Sequence, residues 1–255
     1  MKGAQLDMNT PQAEPSAAPR RRRAPGSKQA QEFSPGTVYE SGRKRREEIL
    51  DAATTLFGEN GYTGVSMRDV AAATGVTHAG LRYHFPSKDA LLLAVLARLS
   101  DLGDEYYNRA VIHASAEPPN FWGVLEEFIS YLRFTNSQRL KTQMFIMHAI
   151  LAADENHAAH DFFERRYADM RAQYMEIFGL LQSQGFLLES LNYKAAAVEL
   201  IAMSDGLQVQ WLLDPVGVNY KVVIEQAVRQ MLRPEHYERF DAVVANIDLP
   251  ELSGS

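Results

Sequence analysis

The chain has 255 residues, 46% of them hydrophobic and 23% charged, with a formal net charge of −6 at pH 7, a balance typical of a globular protein with an apolar core. Cysteine is absent, which excludes disulfides, thiolate metal ligands and cysteine nucleophiles. The sequence shows neither an apolar run of the roughly 20 residues that cross a bilayer nor the apolar core of a signal peptide, so we expect a cytoplasmic protein.

Residues 1–42 are predicted to be a disordered tail. They hold five of the eleven prolines and few large apolar residues. The run Arg20–Arg23 leaves two interpretations open: a solvated tail, or an arm that contacts DNA phosphates or the minor groove. Residues 91–255 contain 13 basic and 22 acidic residues, so a polyanion is expected to meet the N-terminal third of the chain.

From residue 43 onward the apolar spacing is helical, which predicts an all-α fold. The first helix is expected from Arg43 to Asn60, and a short helix, a turn at Gly75 and a second short helix then form a helix-turn-helix over residues 66–85. A long fourth helix follows Pro86. The expected N-caps of the second, third and fourth helices are Ser66, Thr77 and Ser87.

The helix-turn-helix lies within a longer signature. Arg-Arg-Glu-Glu-Ile-Leu-Asp-Ala-Ala-x-x-Leu-Phe-x-x-x-Gly-Tyr (45–62) precedes Val-Ser-Met-Arg-Asp-Val-Ala-x-x-x-Gly-Val-Thr (65–77), and Leu-Arg-Tyr-His-Phe-Pro-Ser-Lys-Asp-Ala-Leu-Leu (81–92) follows. This pattern closely resembles the DNA-binding domain of the TetR family of bacterial transcriptional regulators. The resemblance implies a DNA-binding domain at 43–103, a helical ligand-binding and dimerisation domain at 104–233 and a C-terminal extension at 234–255.

The resemblance also implies which residues contact double-stranded operator DNA. The third helix of such proteins enters the major groove with its N-terminal residues facing the bases. Arg82 is expected to bond guanine or a phosphate, and the helix N-termini favour phosphate. Gly80 has two interpretations, close internal packing or close approach to DNA. The predicted DNA contacts are Ser66, Arg68, Thr77, His78, Ala79, Gly80, Arg82, Tyr83, His84 and Lys88.

Apolar, aromatic and Met stripes on three later helices predict a pocket for a small apolar or aromatic effector. One stripe is Leu140, Met144, Met147 and Leu151. The fourth helix begins beside the DNA-contacting residues and continues into this region, so it is expected to couple the two sites. The predicted pocket residues are Phe128, Tyr131, Met144, Met147, His148, Tyr167, Met170 and Tyr174.

The last two helices of the ligand domain are predicted to pair across a homodimer, because the resemblance implies an intersubunit four-helix bundle. The alternative is a buried hairpin within one subunit. The stretch 204–215 is similar to a segment found at this place in many family members. The predicted interface residues are Leu200, Ser204, Leu207, Trp211, Val223, Ala227 and Met231.

The sequence thus predicts a ligand-released, homodimeric repressor. Two alternatives stay open: a helical protein-interaction adaptor with DNA targeting secondary, and a metal-responsive regulator that uses His157 and His160. Neither a nucleophile elbow, a phosphate loop nor a dinucleotide fingerprint is found, so neither enzymatic activity nor a cofactor is expected, and a metal site is disfavoured against a capped helix start.

Overall fold

The computed structural model describes residues 35–135 and 138–247, which form ten α-helices and one short 3₁₀ helix. The helices are α1 (Pro35–Gly64), α2 (Met67–Thr74), α3 (His78–His84), α4 (Lys88–Ala114), α5 (Phe121–Thr135), α6 (Arg139–Leu151), α7 (His160–Ser183), α8 (Tyr193–Leu213), α9 (Tyr220–Met231) and α10 (Tyr237–Asn246). None of the helices described is both long and apolar enough to cross a membrane. The all-α prediction is confirmed.

The first helix begins earlier than the sequence predicted. Helix α1 starts at Pro35, so residues 35–42 are helical rather than part of the tail. Proline is well tolerated in the first turn of a helix, and the prediction gave too much weight to the prolines before it. The helix was expected to end at Asn60; α1 instead continues to Gly64, with a kink at Gly61, whose φ is 71°. The predicted disorder of residues 1–34, including Arg20–Arg23, lies outside the described residues.

Two hydrophobic clusters organise the chain. The first joins α1–α4 to residues of α6 and α7, including Met144 and Phe163. The second joins α5, α7, α8 and α9 and contains Phe240 of α10. Residues 234–246 therefore form a packed part of the helical body, because α10 buries its apolar face.

Helix α6 contacts both the N-terminal helices and the C-terminal body. A Cβ on Gly58 of α1 would lie 3.1 Å from the Cβ of Leu140, so the two helix backbones approach closely. The buried residues of α6 are Thr142, Met144, Ile146 and His148. The predicted apolar stripe is wrong, because Met147 and Leu151 are 49% and 52% exposed. Helix α6 is apolar on more than one face, so spacing alone did not identify the buried one.

Arg133 fastens the C-terminal helices to α5. Its buried guanidinium donates from Nε to Glu225 at 2.6 Å and from two further nitrogens to the backbone oxygens of Val244 and Ile247, at 2.7 Å and 3.0 Å. Those carbonyls belong to the last turn of α10 and the residue after it, where helices leave acceptors unpaired. One side chain thus joins α5, α9 and α10.

Candidate functional site

Three side-chain caps fix the helix-turn-helix. The Ser66 hydroxyl accepts from the backbone N–H of Asp69. The Asp69 carboxylate in turn accepts from the Ser66 hydroxyl and from the Ser66 backbone N–H, and these two bonds lower the pKa of Asp69. Gly75 takes the left-handed conformation, with a φ of 67°, and ends α2. Thr77 caps α3 by accepting from the N–H of Gly80 at 3.0 Å, and Ser87 caps α4 in the same way. All three predicted N-caps are confirmed.

The predicted DNA contacts lie along α3 and at the starts of α2 and α4. Seven of the ten are exposed, and Gly80, His84 and Lys88 are half-buried. Tyr83 is 86% exposed. Leu81 and Phe85 are buried beneath them and seat α3 on the first cluster. One face of α3 is therefore anchored while the opposite face presents hydroxyl, imidazole and guanidinium groups.

Tyr62 positions the first turn of α4. Its hydroxyl donates a hydrogen bond to Asp89, and the Lys88 Nζ lies 4.1 Å from the centroid of its ring. Burial and the neighbouring Asp89 carboxylate raise the pKa of Tyr62, so its hydroxyl stays protonated. The Lys88 ammonium is held beside the helix N-terminus, where both positive charge and free N–H groups attract anions.

The sequence analysis omitted a basic segment of α1 from the DNA contacts. Residues 43–46 read Arg-Lys-Arg-Arg, and all four are exposed. The Arg46 guanidinium lies 4.9 Å from the ring centroid of Phe85, the residue that ends α3. The run of four basic residues was the available signal.

A cavity lies in the helical body behind the helix-turn-helix. Its empty space, including the part open to solvent, is about 790 Å³. Helix α4 contributes Leu99 and Ser100, so the helix that begins at Lys88 also forms a cavity wall. The other lining residues are Tyr131, Leu132, Phe134, Gln138, Lys141, Thr142, Phe145, Arg166, Met170, Tyr174, Ile201, Ser204, Asp205 and Gln208.

The structure brings together only part of the predicted pocket. Tyr131, Met170 and Tyr174 line the large cavity, and Phe128 lines a smaller adjoining one of about 330 Å³. Tyr167 lines neither of these two cavities, and its hydroxyl donates to the carboxylate of the lining residue Asp205 at 2.7 Å.

Three predicted pocket residues lie elsewhere. Met144 is buried in the first cluster, Met147 is exposed and His148 packs against Tyr62, because α6 directs these side chains away from the cavity. Arg166 and Asp205 were missed because charged residues are expected at the surface. The sequence did indicate that Arg166 is buried, because it follows Phe163 by three residues and so shares the buried face of α7.

The sequence of the helix-turn-helix matches a known family. A family profile described as "Bacterial regulatory proteins, tetR family" matches residues 49–95. The chain is 25% identical over 193 residues to the HTH-type transcriptional regulator PksA of Bacillus subtilis. This aligned region spans 74% of this chain and 90% of PksA. It is 41% identical over 63 residues to the HTH-type transcriptional repressor KstR2 of Rhodococcus jostii, covering 24% of this chain and 31% of that one.

The fold agrees with these matches. The structure of a SmeT–triclosan complex superposes with a TM-score of 0.64 at 18% identity, over 83% of this chain and all of that one. The DNA-binding domain at residues 49–95 is of the TetR family. The chain is a DNA-binding transcriptional regulator. The TetR-family match ends at Val95 in α4, so the helix-turn-helix is its most specific part.

Three of the seven residues predicted from sequence for the dimer surface are buried inside the subunit. Leu200, Ser204 and Leu207 are buried within the chain, and the Ser204 and Tyr220 hydroxyls lie 2.7 Å apart. Ala227 and Met231 are half-buried against the second cluster, Trp211 is half-buried near Arg139, and Val223 is 39% exposed. Helix α8 is apolar on two faces, and the one with 4-3-4 spacing packs inside the subunit.

The histidine pair considered for metal binding does not form one donor set. His157 accepts the backbone N–H of Ala159, and the Nδ1 of His160 lies 2.8 Å from the Ala152 carbonyl oxygen. The structure instead groups His160 with Asp161 and Glu164, at an exposed helix start. Acidic groups are common at that position for helix-dipole reasons.

Proposed function

We propose that this TetR-family regulator is a homodimeric repressor that an effector in the α4–α8 cavity releases from its operator. The proposal assigns DNA binding to residues 43–103, effector binding and dimerisation to 104–233, and a supporting role to the extension from 234. The supporting observation is continuity: α4 carries Lys88 at its first turn and Leu99 and Ser100 in the cavity wall. A ligand that displaces the cavity end of α4 moves its DNA-facing end as well.

Helix α6 supplies a second connection. Lys141, Thr142 and Phe145 line the cavity, whereas Met144 and His148 pack towards α1. Helices α4 and α6 therefore both line the cavity and contact the DNA-binding domain. A complete reversal from bound to released requires roughly 5.5 kcal/mol of differential ligand affinity between the two states.

An exposed apolar face of α8 supports dimerisation. Ala195, Val198, Ala202, Gly206, Val209 and Leu213 share one helix face, opposite the buried residues Leu200, Ser204 and Leu207. Val198 and Leu213 are 43% and 82% exposed. A Cβ on Gly206 would meet no atom within 4 Å, so the subunit itself does not require glycine there. Small residues between larger apolar ones allow a second helix to approach closely.

Helix α9 extends this surface, since Val222 and Val223 are 51% and 39% exposed. We name the α8 face and these two valines the α8–α9 seam. Of the interface residues predicted from sequence the seam keeps Val223, and α8 and α9 remain the proposed dimer helices.

Selection of bound duplexes from a random pool tests the DNA-binding part. A two-fold dimer presents two copies of α3, so the enriched site should be a palindrome with half-sites about one helical turn, ~34–36 Å, apart. Arg82→Ala should relax sequence preference at one position per half-site, and Tyr83→Phe should weaken binding to all sequences alike. An enriched site without two-fold symmetry would contradict the dimer, and unchanged binding by both variants would remove α3 from the interface.

A further inference from the structure

A buried guanidinium lies where the two cavities meet. Arg166 of α7 is 8% exposed, and it lines both the large cavity and the smaller one beside it. Tyr131, Met170 and Tyr174 also line both. The charge thus lies beside aromatic and apolar side chains, where a cation is costly unless acceptors surround it.

The acceptors that the protein supplies to Arg166 are few. Nη1 lies 3.3 Å from the carboxylate of Asp104, whose side chain is 49% exposed, and Nη2 lies 3.4 Å from the Tyr131 hydroxyl. Both are long for charge-assisted hydrogen bonds. The Nε is buried with no hydrogen-bond partner among residues 35–135 and 138–247. Nε and Nη2 form one edge of the guanidinium, the edge that receives a carboxylate in a two-pronged pair.

A second donor on the same cavity wall is also unused. The Ser100 hydroxyl is buried and has no partner within the described part of the chain. Serine in a helix commonly bonds the carbonyl four residues earlier, so a free hydroxyl in a cavity wall is unusual. Arg166 offers donors alone, and the Ser100 hydroxyl can donate one hydrogen bond or accept.

The backbone of α4 is shaped around the guanidinium. A Cβ on Gly103 would lie 2.5 Å from Nη2 of Arg166 and 3.0 Å from the Tyr131 hydroxyl oxygen. Any other residue at 103 would push the guanidinium from its place. Glycine in a helix interior costs about 1 kcal/mol of stability relative to alanine. At position 103 this cost is accepted in exchange for room for the Arg166 guanidinium.

The charged groups of the cavity wall are unequal in sign. Arg166 and Lys141 are cationic, and Asp205 is the acidic one among the lining residues described. The Asp205 carboxylate already accepts from Tyr167 at 2.7 Å, and burial raises its pKa, a shift that this hydrogen bond opposes. An anionic group therefore finds free donors in this cavity, whereas a cationic group meets an acid that is already engaged.

We propose that the effector is a small carboxylic acid with an aromatic or bulky apolar body, whose carboxylate pairs with Arg166 and whose body fills the aromatic part of the cavity. This assignment rests on the effector role proposed above. The Ser100 hydroxyl donates a further hydrogen bond to the polar end of the ligand, and Gly103 leaves the space that the pair occupies.

Three matched probes test the charge preference: 4-phenylbutyrate, 4-phenylbutan-1-ol and 4-phenylbutylammonium, titrated calorimetrically into the full-length protein. The carboxylate should bind about tenfold or more tightly than the alcohol, and the ammonium more weakly than either. Equal or tighter binding of the alcohol or the ammonium, or no detectable binding of the carboxylate, would overturn the proposal.

Variants assign the preference to the guanidinium. Arg166→Met should remove the advantage of 4-phenylbutyrate and leave 4-phenylbutan-1-ol binding nearly unchanged. Gly103→Ala should weaken the carboxylate selectively, since the charge remains but is displaced. Arg165→Met is the matched control, because Arg165 is exposed and donates to the backbone of Asp161. A carboxylate preference that persists in Arg166→Met would overturn the assignment, and melting curves show whether each variant is folded.

Operator binding, measured in parallel, separates this inference from the function on which it rests. Carboxylate binding that depends on Arg166 but leaves operator affinity unchanged would uphold the acid site and contradict release. If 4-phenylbutan-1-ol released the protein from the operator at least as effectively as 4-phenylbutyrate, effector-driven release would stand and the assignment of a carboxylic acid would be overturned.

Discussion

His148 of α6 packs edge-to-face against Tyr62 of α1, with ring centroids 5.4 Å apart and ring planes at 85°. Tyr62 in turn lies under Lys88 and donates to Asp89, both in the first turn of α4. A buried imidazole therefore forms part of the contact between the cavity-lining helix α6 and the DNA-facing end of α4. Its protonation state matters, because the buried Nδ1 has no hydrogen-bond partner among the described residues and a charged ring is costly there.

The structure predicts acid sensitivity from His148. Burial, with the neighbouring His157 adding to it, lowers the pKa of His148 from 6.5 to about 4. The unfolded chain then binds more protons than the folded one between these two values, so stability is full above 6.5 and falls as the pH drops towards 4. At pH 5 the loss attributable to this ring is about 2 kcal/mol.

Urea unfolding at pH 8 and pH 5 measures this effect. His148→Gln should lose less stability than the wild type between the two pH values, and His78→Gln, on an exposed residue of α3, should behave as the wild type does. An unchanged pH dependence in His148→Gln would show that other groups carry the acid sensitivity.

Arg133 predicts a large stability difference between two arginines of the C-terminal body. Arg133→Met removes a buried pair with Glu225 and two bonds to backbone oxygens, and it should cost about 3 kcal/mol in the free energy of unfolding. Arg229→Met removes a partly exposed pair with Asp241 and should cost about 1 kcal/mol or less. Chemical denaturation measures both. Similar losses in the two variants would mean that the Arg133 contacts add nothing beyond a surface pair.

The local signals of the helix-turn-helix were readable from sequence because each depends on neighbours in the chain. The caps at Ser66, Thr77 and Ser87 and the left-handed Gly75 follow from hydrogen bonds within three or four residues. A tail rich in proline did not reveal that α1 starts at Pro35, since proline is compatible with both a coil and a first helical turn.

The cavity was only partly predictable because it is built from helices distant in sequence. Spacing selected Tyr131, Met170 and Tyr174, which line the cavity, since α5 and α7 each have one clear apolar face. It failed for α6 and α8, which are apolar on more than one face, so the choice of buried face depends on which neighbour packs there. The buried Arg166 depends on Gly103 of another helix, a relationship that no local pattern contains.

Gly80 separates helix stability from DNA binding. A Cβ at this position would lie 3.2 Å from the Thr77 hydroxyl that caps α3, a close contact that a small shift of Thr77 relieves. Gly80→Ala gains helix propensity and presses on this cap, so it should change stability by at most about 1 kcal/mol while it weakens operator binding.

The control is Gly42→Ala, in α1, where a Cβ would meet nothing within 4 Å. It should raise stability without loss of operator affinity. If Gly80→Ala bound the operator as tightly as the wild type, the glycine would not mark a close approach to DNA.

A charge introduced into the α8–α9 seam should dissociate the dimer into monomers, whereas the same charge elsewhere on the surface should not. Ala202 is exposed and lies in the middle of the seam, between Val198 and Gly206. Ala202→Glu would place two like charges near each other in a desolvated interface, and it should dissociate the dimer while each subunit stays folded. Ala168→Glu makes the same substitution at an exposed alanine of α7 and should remain dimeric. Sedimentation velocity distinguishes the two species, and circular dichroism confirms folding.

Because operator binding needs both recognition helices, the Ala202→Glu monomer should also lose most of its operator affinity. A dimer that survives Ala202→Glu would place the interface on another face of the molecule.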